Sequence, residues 1–135
     1  MTDFSYSAQN LGRDYRPGYL KLYEKGLLVE RAKMLDDLLS ACTLCPRRCG
    51  VNRKQGQLGA CGVDWRPKVA AVSIHPWEEP PISGTGGSGT IFFSGCSLHC
   101  IFCQNYPISQ MNVGRSISAE DLANGMLRLQ RRGAH

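Results

Sequence analysis

A chain of 135 residues with 42% hydrophobic and 20% charged residues has the make-up of a soluble globular protein and excludes an intrinsically disordered one. The formal charge of +5 is a mild excess. The basic residues, including the run Arg47, Arg48, Arg53 and Lys54 and the group Arg128, Arg131 and Arg132, lack interleaved aromatics or a nucleic-acid motif, so they read as a solvated surface. The opening Met1-Thr2-Asp3-Phe4-Ser5 has no basic stretch leading into an apolar one, and no window approaches the roughly 18 apolar residues of a membrane span. The expectation is a cytoplasmic protein with reduced thiols, where seven cysteines in close clusters point to metal ligation rather than disulfides.

Residues 1–18 mix polar residues with Gly and Pro and read as an extended arm. Leu20, Tyr23 and Leu27, then Leu28, Ala32, Leu35 and Leu39, fall at helical spacing, which predicts an amphipathic helix over 19–41 packed on a core. Gly26 is placed to divide it. A cysteine- and glycine-rich segment spans 42–62. Val69 to Ile74 is short, apolar and β-branched, predicting a strand, and Thr90-Ile91-Phe92-Phe93-Ser94 predicts a second, buried one. Ser118, with Glu120 and Asp121 after it, caps a helix whose face is Leu122, Met126 and Leu129 and whose stop is Gly133.

Three cysteines, Cys96-x3-Cys100-x2-Cys103, directly follow the second strand. Three thiolates on one tight loop can each bind one iron of a cubane cluster. With no fourth protein ligand nearby, one iron stays open for direct coordination of a small molecule. A loop at the C-terminal end of a parallel strand is also where α/β proteins build their sites. Zinc is the alternative, with His99 as a fourth ligand, but inward turning of His99 beside Cys96 and Cys100 crowds the loop. Upstream, Cys42-x2-Cys45-x3-Cys49-x11-Cys61 is a complete four-thiolate set, which suits either a structural zinc ion or an auxiliary iron–sulfur cluster. Spacing leaves the two open.

Gly84-Thr85-Gly86-Gly87-Ser88-Gly89 matches G-x-G-x-x-G but precedes a strand instead of opening a helix, so it is discounted as a nucleotide loop. His75 and the segment Trp77 to Glu79 read as loop, and Glu78-Glu79 before Pro80-Pro81 offers no acid–base geometry.

The stretch Gly95-Cys96-Ser97-Leu98-His99-Cys100-Ile101-Phe102-Cys103-Gln104-Asn105 resembles the signature of the radical S-adenosylmethionine superfamily, in the branch related to pyruvate formate-lyase activating enzyme. The resemblance implies a [4Fe–4S] cluster on Cys96, Cys100 and Cys103 with S-adenosylmethionine chelating the fourth iron, and Phe102 near the adenine. It implies reductive cleavage to methionine and a 5′-deoxyadenosyl radical that abstracts hydrogen from a substrate, which is either a glycine on a partner protein or a small molecule. An electron donor such as a flavodoxin or ferredoxin is implied as a partner. The segment from Cys42 to Arg53, with Gly56, Gly59 and Cys61, is similar to the N-terminal region of uncharacterised proteins of that superfamily. In better-known glycyl-radical activases the extra cysteines follow the three-cysteine motif, whereas here they precede it.

The implied fold is α/β: an N-terminal arm and helix (1–41), a cysteine-rich metal-binding subdomain (42–68), then the first β/α unit of a partial TIM-type barrel (69–135). A full (β/α)8 barrel usually takes roughly 250 residues, and residues 90–135 leave room for one β/α unit of the usual size near 30. The expectation is therefore the N-terminal portion of a longer enzyme, weakly active or inactive alone. The contrasting expectation is a non-catalytic zinc or iron–sulfur binding module.

Overall fold

A computed structural model describes residues 16–135; most of the expected N-terminal arm, residues 1–15, lies outside the described residues. The chain forms two compact units, one ending at Asp37 and the other spanning Leu38–His135. The cysteine-rich segment and both expected strands therefore share one unit.

In the first unit the expected helix is two, α1 (Gly18–Glu24) and α2 (Leu27–Asp37), separated at Lys25 and Gly26. The two contact each other. Neither helix contains a buried residue.

The second unit begins with a 3₁₀ turn, Leu38–Ala41, and another at Arg53–Gln55. Its sheet has the order β2-β1-β3, with β1 at Lys68–His75, β2 at Ser88–Phe93 and β3 at Arg115–Ser116. Between β1 and β2 lies a short helix, α3 (Pro80–Ser83), and between β2 and β3 another, α4 (Tyr106–Ser109). The long helix α5 (Ala119–Arg131) closes the chain.

Both pairings of this sheet are antiparallel, in place of the parallel setting expected for the strand ahead of the second cysteine loop. A parallel partner needs a crossover of a dozen or more residues, usually helical. The link from His75 to Ser88 carries only the four-residue α3, and β2 folds back on β1. β2 starts two residues earlier than its apolar run because Ser88 and Gly89 pair with His75 and Ile74. At the other end a β-bulge between Val69 and Ala71 bends the ladder just before Ser94 and the cysteine loop.

Ser118 caps α5 in a capping box with Asp121, as its sequence implies. The inward face is Leu122, Gly125 and Leu129; Met126 is exposed. Gly125 sits against Val72, and Leu129 against Gly89 of β2. Cys42, Val69 and Leu129 are the buried apolar side chains among the described residues, a thin core. The glycine-rich turn is used for close packing: a Cβ on Gly86 would run into the Gly133 carbonyl oxygen. His135 N–H donates to the Gly87 carbonyl beside it. Among the described residues, no helix is long and apolar enough to cross a membrane.

Candidate metal centres

Backbone turns and one basic side chain bring the segments that carry the upstream cysteines near one another. Cys42 N–H donates to the Val51 carbonyl and Gly50 N–H to the Cys42 carbonyl, so the chain doubles back across Cys42. Arg48 N–H donates to the Cys45 carbonyl, closing the turn between them. Asn52 then caps the second 3₁₀ turn through Gln55 N–H, which places Arg53 facing inward at 8% exposure.

Arg53 organises this site. Its Nε donates to Cys42 Sγ at 3.0 Å and its Nη2 to Cys61 Sγ at 3.0 Å. Its Nη1 donates to the carbonyls of Val63 at 2.7 Å and Asp64 at 3.2 Å. Burial works against the charged guanidinium, but the hydrogen bonds to Cys61 and Cys42 outweigh it and hold the Arg53 pKa above its ordinary value. Cys49 belongs to the same cluster. The N–H groups of Ala60 and Val51 lower its thiol pKa, with Cys42 and Arg53 adding to the effect. Cys45 is half-buried nearby along the chain.

The second group sits on a loop that is tied to itself at three places. Gly95 N–H donates to the Ile108 carbonyl, Gln110 Nε2 to the Cys100 carbonyl at 2.7 Å, and Cys103 N–H to the Cys100 carbonyl. Tyr106 N–H then donates to the Cys103 carbonyl at the start of α4. Two of the three sulfurs already receive donors. Leu98 N–H reaches Cys96 Sγ at 3.4 Å, and the Ser109 hydroxyl donates to Cys103 Sγ at 3.3 Å. The Leu98 and His99 N–H groups lower the Cys96 thiol pKa. His99 is exposed, with a left-handed backbone at φ 54° that turns its N–H toward Cys96. Leu98, Ile101 and Phe102 are exposed at 72%, 95% and 86%, so the loop presents an apolar rim.

Among the described residues, no three His, Cys, Asp or Glu side chains converge in a ready metal-binding arrangement. The thiol sets are assembled along the backbone rather than at their sulfur atoms. Their chemistry nevertheless suits soft metals. Seven free thiols stand on two turn-rich loops, and donors reach five of the sulfurs; donors of this kind orient thiolate ligands where a metal is bound. The cleft between α5 and the sheet, lined by Val69, Val72, Arg115, Leu122, Gly125 and Arg128 among others, has no cysteine in its wall. His75 ends β1 with its Nδ1 3.3 Å from Glu78 Oε1, away from both sets.

Residue type and spacing pointed to all seven cysteines, and the family resemblance to Phe102, but Arg53 stayed inside a basic run and Ser109 was passed over. A signal for Arg53 was present. A basic residue lying inside a cysteine cluster is a natural counter-charge for thiolates.

No family model matches the chain, and no solved structure matches it. Two uncharacterized proteins of Methanocaldococcus jannaschii are similar to it. MJ0674 is 32% identical over 98 residues, covering 73% of this chain and 28% of that protein. MJ0808 is 34% identical over 89 residues, covering 56% of this chain and 26% of that protein. The chain thus spans little more than a quarter of the length of either relative.

Proposed function

We propose that this chain belongs to a radical S-adenosylmethionine enzyme, with Cys96, Cys100 and Cys103 as the ligands of its [4Fe–4S] cluster. The observation that carries the reading is the loop itself. Cys96-x3-Cys100-x2-Cys103 follows the end of β2 that lies opposite the bulge in β1, closes on itself through Gly95, Gln110 and Tyr106, and has N–H and hydroxyl donors at the Cys96 and Cys103 sulfurs. Donors of this kind orient thiolate ligands and temper their charge. When bound, the cluster supplies one electron for reductive cleavage of the S-adenosylmethionine sulfonium.

The chain's own residues have the remaining tasks. Phe102, exposed between two cysteines, offers a flat apolar surface for the adenine ring. Gln110 and Ser109 hold the loop closed around Cys100 and Cys103. β2 is an outer strand of the described sheet, and its free edge is where further strands of a catalytic barrel would add. The hydrogen donor is a protein glycine or a small molecule, and the electron comes from a low-potential flavodoxin or ferredoxin.

The test is anaerobic reconstitution with iron and sulfide, followed by metal analysis and an assay for 5′-deoxyadenosine. The expected result is about four irons that depend on Cys96, Cys100 and Cys103, beyond any held upstream. A colourless protein holding zinc alone would instead support a metal-binding module without catalysis. The grip of Arg53 on Cys42 and Cys61 favours that second reading for the upstream site, because it serves any tetrathiolate centre and calls for no turnover.

A further inference from the structure

The two cysteine loops are far apart in sequence and touch in the fold. Three separate contacts join them. Arg47, between Cys45 and Cys49, donates from Nε to the carbonyl of Ser97, between Cys96 and Cys100, at 2.9 Å. Gly95 lies so close to the upstream loop that a Cβ on it would run into Val63 Cγ2 and stand 2.6 Å from the Cys61 carbonyl oxygen. Asn112 fills the seam. A Cβ on Gly62 would run into its Nδ2, and one on Gly95 would stand 3.1 Å from its Oδ1. That Oδ1 is buried without a hydrogen-bond partner, and Asn112 has the left-handed backbone (φ 53°) that brings its side chain there.

A continuous path therefore runs from the upstream sulfurs to the downstream loop. Cys42 and Cys61 Sγ bind the Arg53 guanidinium, Arg53 binds the Val63 carbonyl, and Val63 and the Cys61 carbonyl abut Gly95, the residue before Cys96. Besides its own internal hydrogen bonds, the 95–110 loop rests on these contacts across the seam. A metal that draws Cys42, Cys45, Cys49 and Cys61 together fixes residues 61–64, and with them the surface on which Gly95 rests.

We propose that the two cysteine sites form one coupled unit, in which metal binding at Cys42, Cys45, Cys49 and Cys61 orders the Cys96–Cys103 loop through Arg47, Val63 and Gly95. The proposal rests on the reading of both cysteine groups as metal sites, but it does not require the downstream site to be a radical S-adenosylmethionine cluster. Because coupling between sites is reciprocal, a cluster on the downstream loop tightens the upstream site by the same factor. Arg47, Val63 and Gly95 are positioning residues, acting through the backbone and touching no metal.

The experiment uses the 135-residue chain carrying Cys96→Ser, Cys100→Ser and Cys103→Ser, so that added zinc has only the upstream cysteines as a thiolate site. Hydrogen exchange is followed over residues 95–110 with and without one equivalent of zinc. The expected result is exchange slowed about fivefold or more, within the usual range of coupling between sites. Arg47→Ala, which removes the Ser97 contact from an exposed side chain, is expected to weaken this protection while zinc still binds upstream. Exchange over 95–110 that ignores bound zinc would overturn the proposal, as would failure of the upstream cysteines to bind zinc. If the triple variant does not fold, the same exchange is measured on the zinc-loaded chain with all its cysteines and with Cys45→Ser plus Cys49→Ser. Loss of the upstream ligands must then speed exchange over 95–110, and unchanged exchange sinks the coupling. Failure of the catalytic reading is seen separately, as a chain that orders this loop with zinc yet never takes up iron and sulfide.

Discussion

Arg53 Nε and Cys42 Sγ stand 3.0 Å apart, joining a guanidinium that is 8% exposed to a thiol that is 1% exposed. A buried cation persists only where its donors are used, and every contact named for this one ends on sulfur or a backbone carbonyl. Arg53→Gln is therefore expected to destabilise the metal-free chain by about 2–4 kcal/mol, since it removes the charge and breaks the fork. Arg53→Lys recovers only part of this, because an ammonium lacks the planar fork. Urea denaturation of the three proteins checks it, and equal midpoints would remove Arg53 from its organising role.

The Leu98 and His99 N–H groups favour the Cys96 thiolate, so its folded pKa lies below that of the unfolded chain. The sign follows from this lowering. The thiolate's contribution to stability is fully present above the unfolded thiol's pKa and is lost as the pH falls through the folded one. In the metal-free chain, alkylation of Cys96 is expected to reach half its plateau rate at a lower pH than in the same chain unfolded in urea. Cys49 is expected to behave likewise because of the Ala60 and Val51 N–H groups. Peptide-resolved mass spectrometry across a pH series reads both, and coincident profiles would count against these donors.

Phe102 carries no structural load, being 86% exposed. Phe102→Ala is accordingly expected to leave iron retention and folding unchanged. If the adenine rests on the ring, loss of stacking weakens S-adenosylmethionine binding about tenfold, equivalent to about 1.4 kcal/mol. Equilibrium dialysis against the reconstituted chain measures it. Unchanged affinity would remove Phe102 from the cofactor site.

The Ser118 hydroxyl accepts from Asp121 N–H at 3.0 Å, and the Asp121 carboxylate lies 3.5 Å from the Ser118 N–H in return. Ser118→Ala is expected to cost about 1 kcal/mol. The urea midpoint should fall with its slope unchanged, marking a loss of stability without a change in fold. A changed slope would mean that the cap affects more than α5.

The sequence by itself determined the elements whose signals are local. The β-branched run at 69–74, the apolar run before Gly95 and the helix signalled by the Ser118 N-cap each became the expected strand or helix, because short-range sterics and capping hydrogen bonds act within a few residues. It also marked out the two cysteine groups, whose residue type and spacing carry the proposal of metal ligation. Only the tertiary structure decided that β2 pairs antiparallel with β1, since hydrophobicity says a strand is buried but not which way its neighbour runs. Only the tertiary structure drew Arg53 out of a basic run into a cluster of thiols, and set Arg47 on Ser97 and Gly95 on Cys61. The Arg53 contacts span 11 and 8 residues, but Arg47–Ser97 spans 50 and Gly95–Cys61 spans 34, and contacts of that separation follow from how the whole unit closes rather than from any local pattern.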